Sequence, residues 1–271
     1  MKQKIINIVL GLFFLAGLGI TLYPMFSDWY ISRHQGQVVD NYDKKAAQMS
    51  QKEINEALEK AQEYNEELLG NVVLTDPFDP AAVEKQNEDY DNLLNIGGDG
   101  VMGSVEIPSI NVYLPIYHGT SQEVLEKGIG HLEGSSIPIG GKNTHAVLTG
   151  HRGLPSAELF SNLDQMERND EFYIHILGKT LAYRVFNVET VRPEETGHLA
   201  IARGQDRVTL VTCTPYGINT HRLLVHARRV PYKEKSSSSR KNNLWKWLLK
   251  QKVLLISTGI LILLIIYSLV R

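Results

Sequence analysis

Residues 207–228 read RVTLVTCTPYGINTHRLLVHAR, two apolar runs joined by a short polar segment. The first run ends at Cys213, the second begins at Arg222, and both have the composition of buried strands. Cys213 is the only cysteine in the chain, so it cannot form an intramolecular disulfide and its role is more chemical than structural. A thiol is nucleophilic as the thiolate, which nearby positive charge favours, and Arg222 carries such charge at any pH. Adjacent strand residues point to opposite faces, so only one of His221 and Arg222 should face Cys213.

Short apolar runs broken by Gly, Pro and Asn continue on the amino-terminal side of this stretch, from residue 103. The candidate strands are residues 104–107, 112–116, 145–149, 171–177, 181–190, 207–213 and 222–228. One helix is predicted at residues 156–166, with Ser156 as its N-cap and Glu158 in its first turn. Strands at this spacing predict a mainly β domain over residues 103–232, a closed antiparallel or mixed barrel with loops at its ends for chemistry.

A thiolate nucleophile needs a proton donor for the leaving group, and His151 fits this role best. It follows the apolar strand ending at Thr149, between Gly150 and Gly153, which allow close backbone approach. Arg222 offers up to five donors to an oxyanion, although a surface strand arginine is an equal reading. The other histidines lie in no comparable setting and are expected to be surface or core residues: His34, His118, His131, His145, His175, His198 and His226.

The segment before the barrel has two parts. Within residues 27–70, apolar residues at helical spacing from Val38 to Leu69 predict one helix, or two in line, which Gly70 ends. Residues 71–102 form a loop and connector that contains Asp76-Pro77-Phe78-Asp79-Pro80. Two prolines exclude regular strand pairing and favour a fixed loop.

Both termini are apolar. Residues 5–26 contain no charge and would make a helix of about 33 Å, enough to cross a bilayer, and residues 253–270 predict a second span. Lys2 and Lys4 favour a cytoplasmic start, so residues 1–26 are predicted to be an uncleaved anchor with an extracellular catalytic domain after it. The stem, residues 233–252, is basic and Ser-rich. The positive-inside rule would place such a basic segment in the cytoplasm, which disagrees with the predicted orientation. If the stem lies outside the cell, it would either contact anionic lipid or wall polymers or remain solvated.

Overall charge limits the partners. The net charge of −2 and the pI near 6.5 argue against a general nucleic-acid binder. Together with the apolar segments at the termini, this predicts a membrane-attached protein that does not bind nucleic acid.

The sequences of these motifs are similar to those of one protein family. Residues 209–225, TLVTCTPYGINTHRLLV, resemble the signature of sortases, the membrane-anchored cysteine transpeptidases of Gram-positive bacteria, and Leu148-Thr149-Gly150-His151 resembles the histidine motif of that family. Cys-Thr-Pro-Tyr-Gly, the second apolar segment and Asp76-Pro77-Phe78 resemble the pilus-assembling class C branch. Phe78 stands where tryptophan is also common in this branch. The resemblance implies the eight-stranded sortase β-barrel with short helices, a helical appendage and a lid loop, flanked by two transmembrane helices.

The resemblance also implies the chemistry. Cys213 would attack an LPXTG-like sorting signal between Thr and Gly, His151 would be the general acid and base, and Arg222 would stabilise the oxyanion. No metal or organic cofactor is implied. The acceptor would be a lysine amine of another pilin, and Asp76, Pro77 and Phe78 would form a lid in which Asp76 pairs with Arg222 and Phe78 covers the Cys213 sulfur.

Other functions remain open at this point. One is a wall-anchoring sortase with a peptidoglycan precursor as acceptor, for which the lid and second anchor would be unexpected. Another is a catalytically silent scaffold that organises a surface assembly, although all three catalytic residue types are present. L,D-transpeptidases and papain-like proteases also use Cys and His, but neither matches the sequence around Cys213 or the short interval to Arg222.

Overall fold

Eight strands form a closed barrel in the computed structural model, which describes residues 2–69, 74–79, 87–154 and 157–233. The strands are β1 (Val101–Ile107), β2 (Val112–His118), β3 (Ile129–His131), β4 (Thr144–Thr149), β5 (Glu171–Ile176), β6 (Lys179–Val191), β7 (Asp206–Thr214) and β8 (His221–Val230). The α-helices in the described ranges are α1 (Lys2–Gln48), α2 (Gln51–Glu67), α3 (Glu88–Asp91) and α4 (Gln122–Lys127), and the 3-10 helices are Pro108–Ile110, Leu163–Gln165 and Thr196–Leu199.

The order of strands around the barrel is β1-β2-β3-β4-β7-β8-β6-β5. Two pairs, β2 with β3 and β4 with β7, are parallel, and the other pairs are antiparallel, so the predicted closed barrel is confirmed in its mixed form. All seven predicted strands are present. The eighth, β3, has only three residues, too few to show an alternating pattern in the sequence.

The pleat of the strands gives the barrel wall two apolar faces. Leu210 of β7 and Val225 of β8 point into the main core, whereas Val211 and Leu224 belong to a second cluster on the other face. That second cluster contains Leu132, Val147, Val191, Leu199, Val211 and Leu224. Because side chains repeat every two residues along a strand, Cys213 and Arg222 lie on the same face as the second cluster.

Two helices precede the barrel. α2 begins with a capping box between Ser50 and Glu53, and the alternative of one helix or two is settled as two. The Asn65 side chain in α2 donates to the Ile137 carbonyl at 3.1 Å and accepts from the Ile137 amide at 2.7 Å. These bonds fasten α2 to the loop before β4. Gly70, the predicted end of this region, lies outside the described residues.

α1 is one unbroken helix, so the predicted anchor and the start of the helical appendage share it. Among the described residues, only its Gly11–Gln48 part has the length and composition to cross a membrane, and its most apolar 18-residue window has a mean hydropathy of 1.3. The second predicted span at residues 253–270 and the stem beyond residue 233 lie outside the described residues.

The predicted helix at residues 156–166 is wrong. Residues 157–166 form turns and the 3-10 helix Leu163–Gln165, and Ser156 lies outside the described residues. Leu159 has a φ of 36°, in the left-handed region that an α-helix does not allow. In an α-helix these apolar side chains would not all point to the same side. The turns that form instead allow all of them to be buried: Ala157, Leu159, Phe160, Leu163 and Met166.

Candidate active site

Cys213 and Arg222 lie directly opposite each other in the antiparallel ladder of β7 and β8. Side chains at directly opposed positions share a face, with Cβ atoms about 4.5–5.5 Å apart. The same register places His221 opposite Thr214, so His221 points to the other face. The Arg222 side chain is 12% exposed, which excludes the reading of a surface strand arginine.

His151 is brought to the same end of the barrel by β4. Thr149 is paired with Val211 in the parallel ladder of β4 and β7. The Gly150 amide then donates to the Val211 carbonyl at 3.0 Å, and the Thr212 hydroxyl donates to the Gly150 carbonyl at 2.7 Å. These bonds fix the residue before His151 to the residue before Cys213.

The approach of Gly150 to the core requires glycine. A Cβ at this position would come within 2.8 Å of the Phe160 ring and within 2.7 Å of the Ile129 side chain. The Phe160 amide donates to the His151 carbonyl at 3.1 Å. The backbone on both sides of His151 is therefore held by the main core.

The Asp76 carboxylate forms a two-point pair with the Arg222 guanidinium. Nε of Arg222 donates to Oδ1 at 2.8 Å, and Nη2 donates to Oδ2 at 2.6 Å. The fork matches a carboxylate in geometry, and both side chains are largely shielded from water, at 12% and 13% exposed. Nη1 of Arg222 donates to the carbonyls of Asn219 and His221, each at 3.1 Å. The guanidinium is thus held in one orientation.

The Phe78 ring lies between Arg222 and His151. The Arg222 guanidinium carbon is 5.0 Å from the centre of the Phe78 ring, and the His151 ring centre is 5.6 Å from it. Asp76 supports this position, because its carbonyl accepts from the Asp79 amide at 3.0 Å and closes a turn around Pro77. The segment 76–78 therefore touches two of the three predicted catalytic residues.

This segment also rests on the apolar surface beside the site. Leu74 and Phe78 pack against the second cluster, and Pro77 is buried. A small pocket of about 10 Å³ lies between Asp76 and Pro77 and the outer wall of the barrel. Its apolar floor is formed by Val191, Leu199, Val211 and Leu224.

The electrostatic setting favours neutral groups while Asp76 is in place. Burial raises the pKa of the Cys213 thiol above its ordinary value; Arg222 acts to lower this pKa, and Asp76 acts to raise it further. Burial also lowers the pKa of His151, against a smaller opposing effect of Glu126. Both shifts favour the neutral form, a thiol at Cys213 and an uncharged imidazole at His151.

The remaining histidines have structural surroundings. His118, His131, His145 and His226 are buried, and each has hydrogen bonds from its ring nitrogens. The structure contains no group of three or more metal-ligating side chains able to hold an ion within the described ranges.

Sequence reasoning missed two contributors to the site. Thr212 locks the His151 strand to the Cys213 strand through its hydroxyl, but a threonine in a β-strand gives no such signal. Arg152 lies next to His151, and its side chain reaches Thr214, which follows Cys213, at 3.3 Å. Its position in the histidine motif could have drawn attention to it.

Comparison with known proteins agrees with this geometry. A family model described as Sortase domain matches residues 105–230. The solved structure of sortase C-1 from Streptococcus pneumoniae is 46% identical, with a TM-score of 0.68, over 73% of this chain and 100% of that one. A structure described as pilus-related sortase C of Group B Streptococcus is 44% identical, with a TM-score of 0.67, over 72% and 98%.

Among curated proteins, sortase D of Bacillus subtilis (strain 168) is 30% identical over 131 residues, which cover 47% of this chain and 63% of that protein. The chain therefore spans less than two thirds of the length of this relative. The solved structures, in contrast, are covered almost completely. The chain belongs to the sortase family, and the solved structures that it resembles at 44–46% identity are class C sortases.

Proposed function

We propose that this protein is a cysteine transpeptidase that joins pilin subunits. It cleaves an LPXTG-like sorting signal between Thr and Gly and transfers the acyl group to a lysine amine of another pilin. One observation carries the proposal: Cys213 and Arg222 are opposed on adjacent strands, and His151 and Arg222 both contact the Phe78 ring.

The proposed first step is acylation of Cys213. The Cys213 thiol gives its proton to His151 as the sulfur attacks the threonine carbonyl carbon. The two N–H groups of Arg222 released from Asp76 bind the oxygen that becomes negative. The carbon–nitrogen bond then breaks, and His151 gives its proton to the departing glycine amine. The product of this step is a thioester on Cys213.

The proposed second step reverses these roles. His151 accepts a proton from the incoming lysine amine as its nitrogen attacks the thioester carbonyl. The sulfur leaves and takes the proton back from His151, and an isopeptide bond remains between the two pilins. Water in place of the amine would give slow hydrolysis. An amide replaces an amide through an activated ester, so the reaction needs no cofactor or metal.

Asp76, Pro77 and Phe78 are proposed to be a lid over the resting site. The pair between Asp76 and Arg222 occupies the donors that an oxyanion needs, and the Phe78 ring stands beside the imidazole. The pKa shifts support this, because the resting site favours a protonated thiol. Substrate entry therefore requires this segment to leave.

Attachment to the cell membrane with the catalytic domain outside the cell is part of the proposal. The apolar part of α1 supports an anchor at residues 1–26. A second anchor at residues 253–270 is proposed from its composition alone. The partners are proposed to be pilins or other surface proteins with sorting signals, in line with the pilus-related neighbour of known structure.

The test is to incubate the full-length chain, purified in detergent, with an LPXTG peptide and a lysine-bearing pilin domain and to analyse the products by mass spectrometry. Cys213→Ala and an Asp76→Ala/Phe78→Ala double variant are compared with it. We expect a Cys213-dependent isopeptide product that forms faster in the double variant.

The other outcomes separate the alternatives. A thioester that transfers only to a peptidoglycan precursor would favour a wall-anchoring sortase. The absence of a thioester in every variant, with circular dichroism showing an intact fold, would leave a catalytically silent scaffold.

A further inference from the structure

Arg152 makes a cluster of contacts between the two loops of the site. Its Nη1 donates to the Thr214 hydroxyl at 3.3 Å, and its Nη2 is paired with the Asp164 carboxylate. Its guanidinium carbon is 5.7 Å from the centre of the Tyr216 ring. Arg152, which directly follows His151, is therefore hydrogen-bonded to Thr214, which directly follows Cys213.

The backbone beside Arg152 supports the same junction. Gly153 has a φ of 82°, and a Cβ there would lie 3.1 Å from the Tyr216 ring. The Gly153 amide also donates to the Ser161 hydroxyl at 3.1 Å. The loop after His151 thus contacts the loop after Cys213 through Gly153 and Tyr216.

The surroundings of Arg152 make it a poor choice of side chain if its only role were to stabilise the fold. The side chain is 9% exposed, whereas its partner Asp164 is 45% exposed. Among the described residues, the Arg152 Nε–H has no hydrogen-bond acceptor. A buried cation with an unsatisfied donor costs folding free energy, and an apolar side chain of similar size at such a place is often neutral or better for stability.

We propose that Arg152 is a positioning residue that fixes the His151 loop against the Cys213 loop, so that the imidazole and the thiol meet in one geometry. It acts through Thr214 and Tyr216 and does not touch the substrate. The inference deepens the proposed transpeptidase function and rests on it for its effect on turnover. The influence of the His151 imidazole on the titration of the Cys213 thiol can be measured without turnover.

The first measurement is acyl transfer by full-length Arg152→Met. A misplacement of about 1 Å of reacting groups can lower the rate about 10²-fold, so we expect a fall of this order in kcat with KM unchanged. Thr214→Val, which removes the acceptor of Arg152 Nη1, should lower kcat in the same direction. Thr214→Ser keeps the hydroxyl and should restore it.

The second measurement is the pH profile of Cys213 alkylation in the Asp76→Ala/Phe78→Ala background, where the lid does not limit the reagent. With Arg152 in place, we expect two steps in this profile, one from the thiol and one from the adjacent imidazole. In Arg152→Met only the thiol step should remain, with an unchanged rate at high pH.

Arg229 offers a matched control. It lies 3.8 Å from the Asp206 carboxylate, and its guanidinium carbon is 5.5 Å from the centre of the Tyr183 ring, so it has the same kinds of partner away from the site. Arg229→Met should leave kcat and the two-step profile unchanged.

Three results would overturn the inference. These are wild-type kcat in Arg152→Met, a two-step profile in that variant, or equal losses in the Arg152 and Arg229 variants that follow the loss of thermal stability. Absence of a thioester in the unaltered chain would instead refute the proposed function, and the alkylation profile would still decide the role of Arg152.

Discussion

Asp76→Ala should open the proposed lid and expose Cys213 to small reagents. The substitution removes both hydrogen bonds from Arg222, at 2.8 and 2.6 Å, and also the long bond that Oδ1 of Asp76 accepts from the Phe78 amide at 3.4 Å. Since Cys213 is the only cysteine, the rate of alkylation of the chain reports on this one thiol.

The size of the effect follows from the Arg222–Asp76 pair. A hydrogen bond to a charged group contributes about 1.5–3 kcal/mol, whereas an exposed ion pair contributes about 0.2–1 kcal/mol. The two side chains are 12% and 13% exposed and share one pair of charges, so we assign about 2–3 kcal/mol to the pair as a whole. The entropy cost of ordering residues 76–78 over the site is the same for the wild-type chain and for Asp76→Ala, so it cancels when their closed states are compared. At about 1.4 kcal/mol per factor of ten, the open population rises about 30- to 150-fold.

The charge on Asp76 adds to this effect. Asp76 acts to raise the pKa of Cys213, so its removal lowers that pKa and increases the thiolate fraction at neutral pH. The alkylation profile of Asp76→Ala should therefore shift to lower pH as well as to higher rates. Asp76→Asn keeps the shape but not the charge, and its rate should be intermediate.

The assay is alkylation by a neutral reagent, followed by intact mass at several pH values. Glu171 pairs with Arg184 through two hydrogen bonds, at 3.2 and 2.8 Å, away from the site, so Glu171→Ala is a matched control that should not change the rate. If Asp76→Ala has the wild-type melting temperature and the wild-type alkylation rate, the pair does not restrain access to Cys213, and the reasoning is refuted.

Three further predictions concern stability and the role of Arg222. Burial lowers the pKa of His131 to about 3 and that of His145 to about 4, so the stability that depends on their neutral form is complete above pH 6.5 and is lost on acidification. Each contributes a slope of up to about 1.4 kcal/mol per pH unit in urea unfolding between pH 6 and 4, and equal stability at both pH values would contradict this. Asn65→Ala leaves the Ile137 amide without an acceptor, while the Ile137 carbonyl keeps the Ile139 amide as a donor, so it should cost about 1–3 kcal/mol in the same assay, and a neutral result would contradict this. Arg222→Lys keeps the charge but loses the fork, so acyl transfer should fall about 10²- to 10³-fold while alkylation becomes faster; wild-type transfer would exclude Arg222 from the oxyanion site.

The sequence predicts the barrel well because strand signals are local. An apolar run bounded by Gly, Pro and Asn is visible in a single chain, and each of the seven predicted runs forms a strand. The three-residue strand β3 is too short for such a signal, and its place in the sheet depends on pairing with β2 and β4. Residues 156–166 show helical spacing, but here tertiary burial decides the structure, since Leu159 adopts a left-handed backbone conformation.

The site is partly predictable for the same reason. Cys213 and Arg222 are close in the sequence, and the alternation of side chains along a strand is enough to separate Arg222 from His221. The contacts of Asp76 and Arg152 are different. The hydrogen bond between Arg222 and Asp76 spans 146 positions, and that between Arg152 and Thr214 spans 62. The Asp76 contact is expected only through the resemblance of Asp76-Pro77-Phe78 to a known lid, and no pattern predicts the Arg152 contact, because such contacts depend on the order of the strands around the barrel.

Arg222 links the proposed lid to the proposed chemistry because it cannot serve both at once. Its Nε and Nη2 donate to Asp76, and its Nη1 is committed to the carbonyls of Asn219 and His221. A substrate oxyanion would need the donors that Asp76 occupies, so binding of the sorting signal and closure of the lid compete for the same atoms. A ligand shifts such an equilibrium only by its difference in affinity for the two states. A sorting signal that reaches Arg222 would therefore favour the open state and bring Cys213 into its reactive form in the same step.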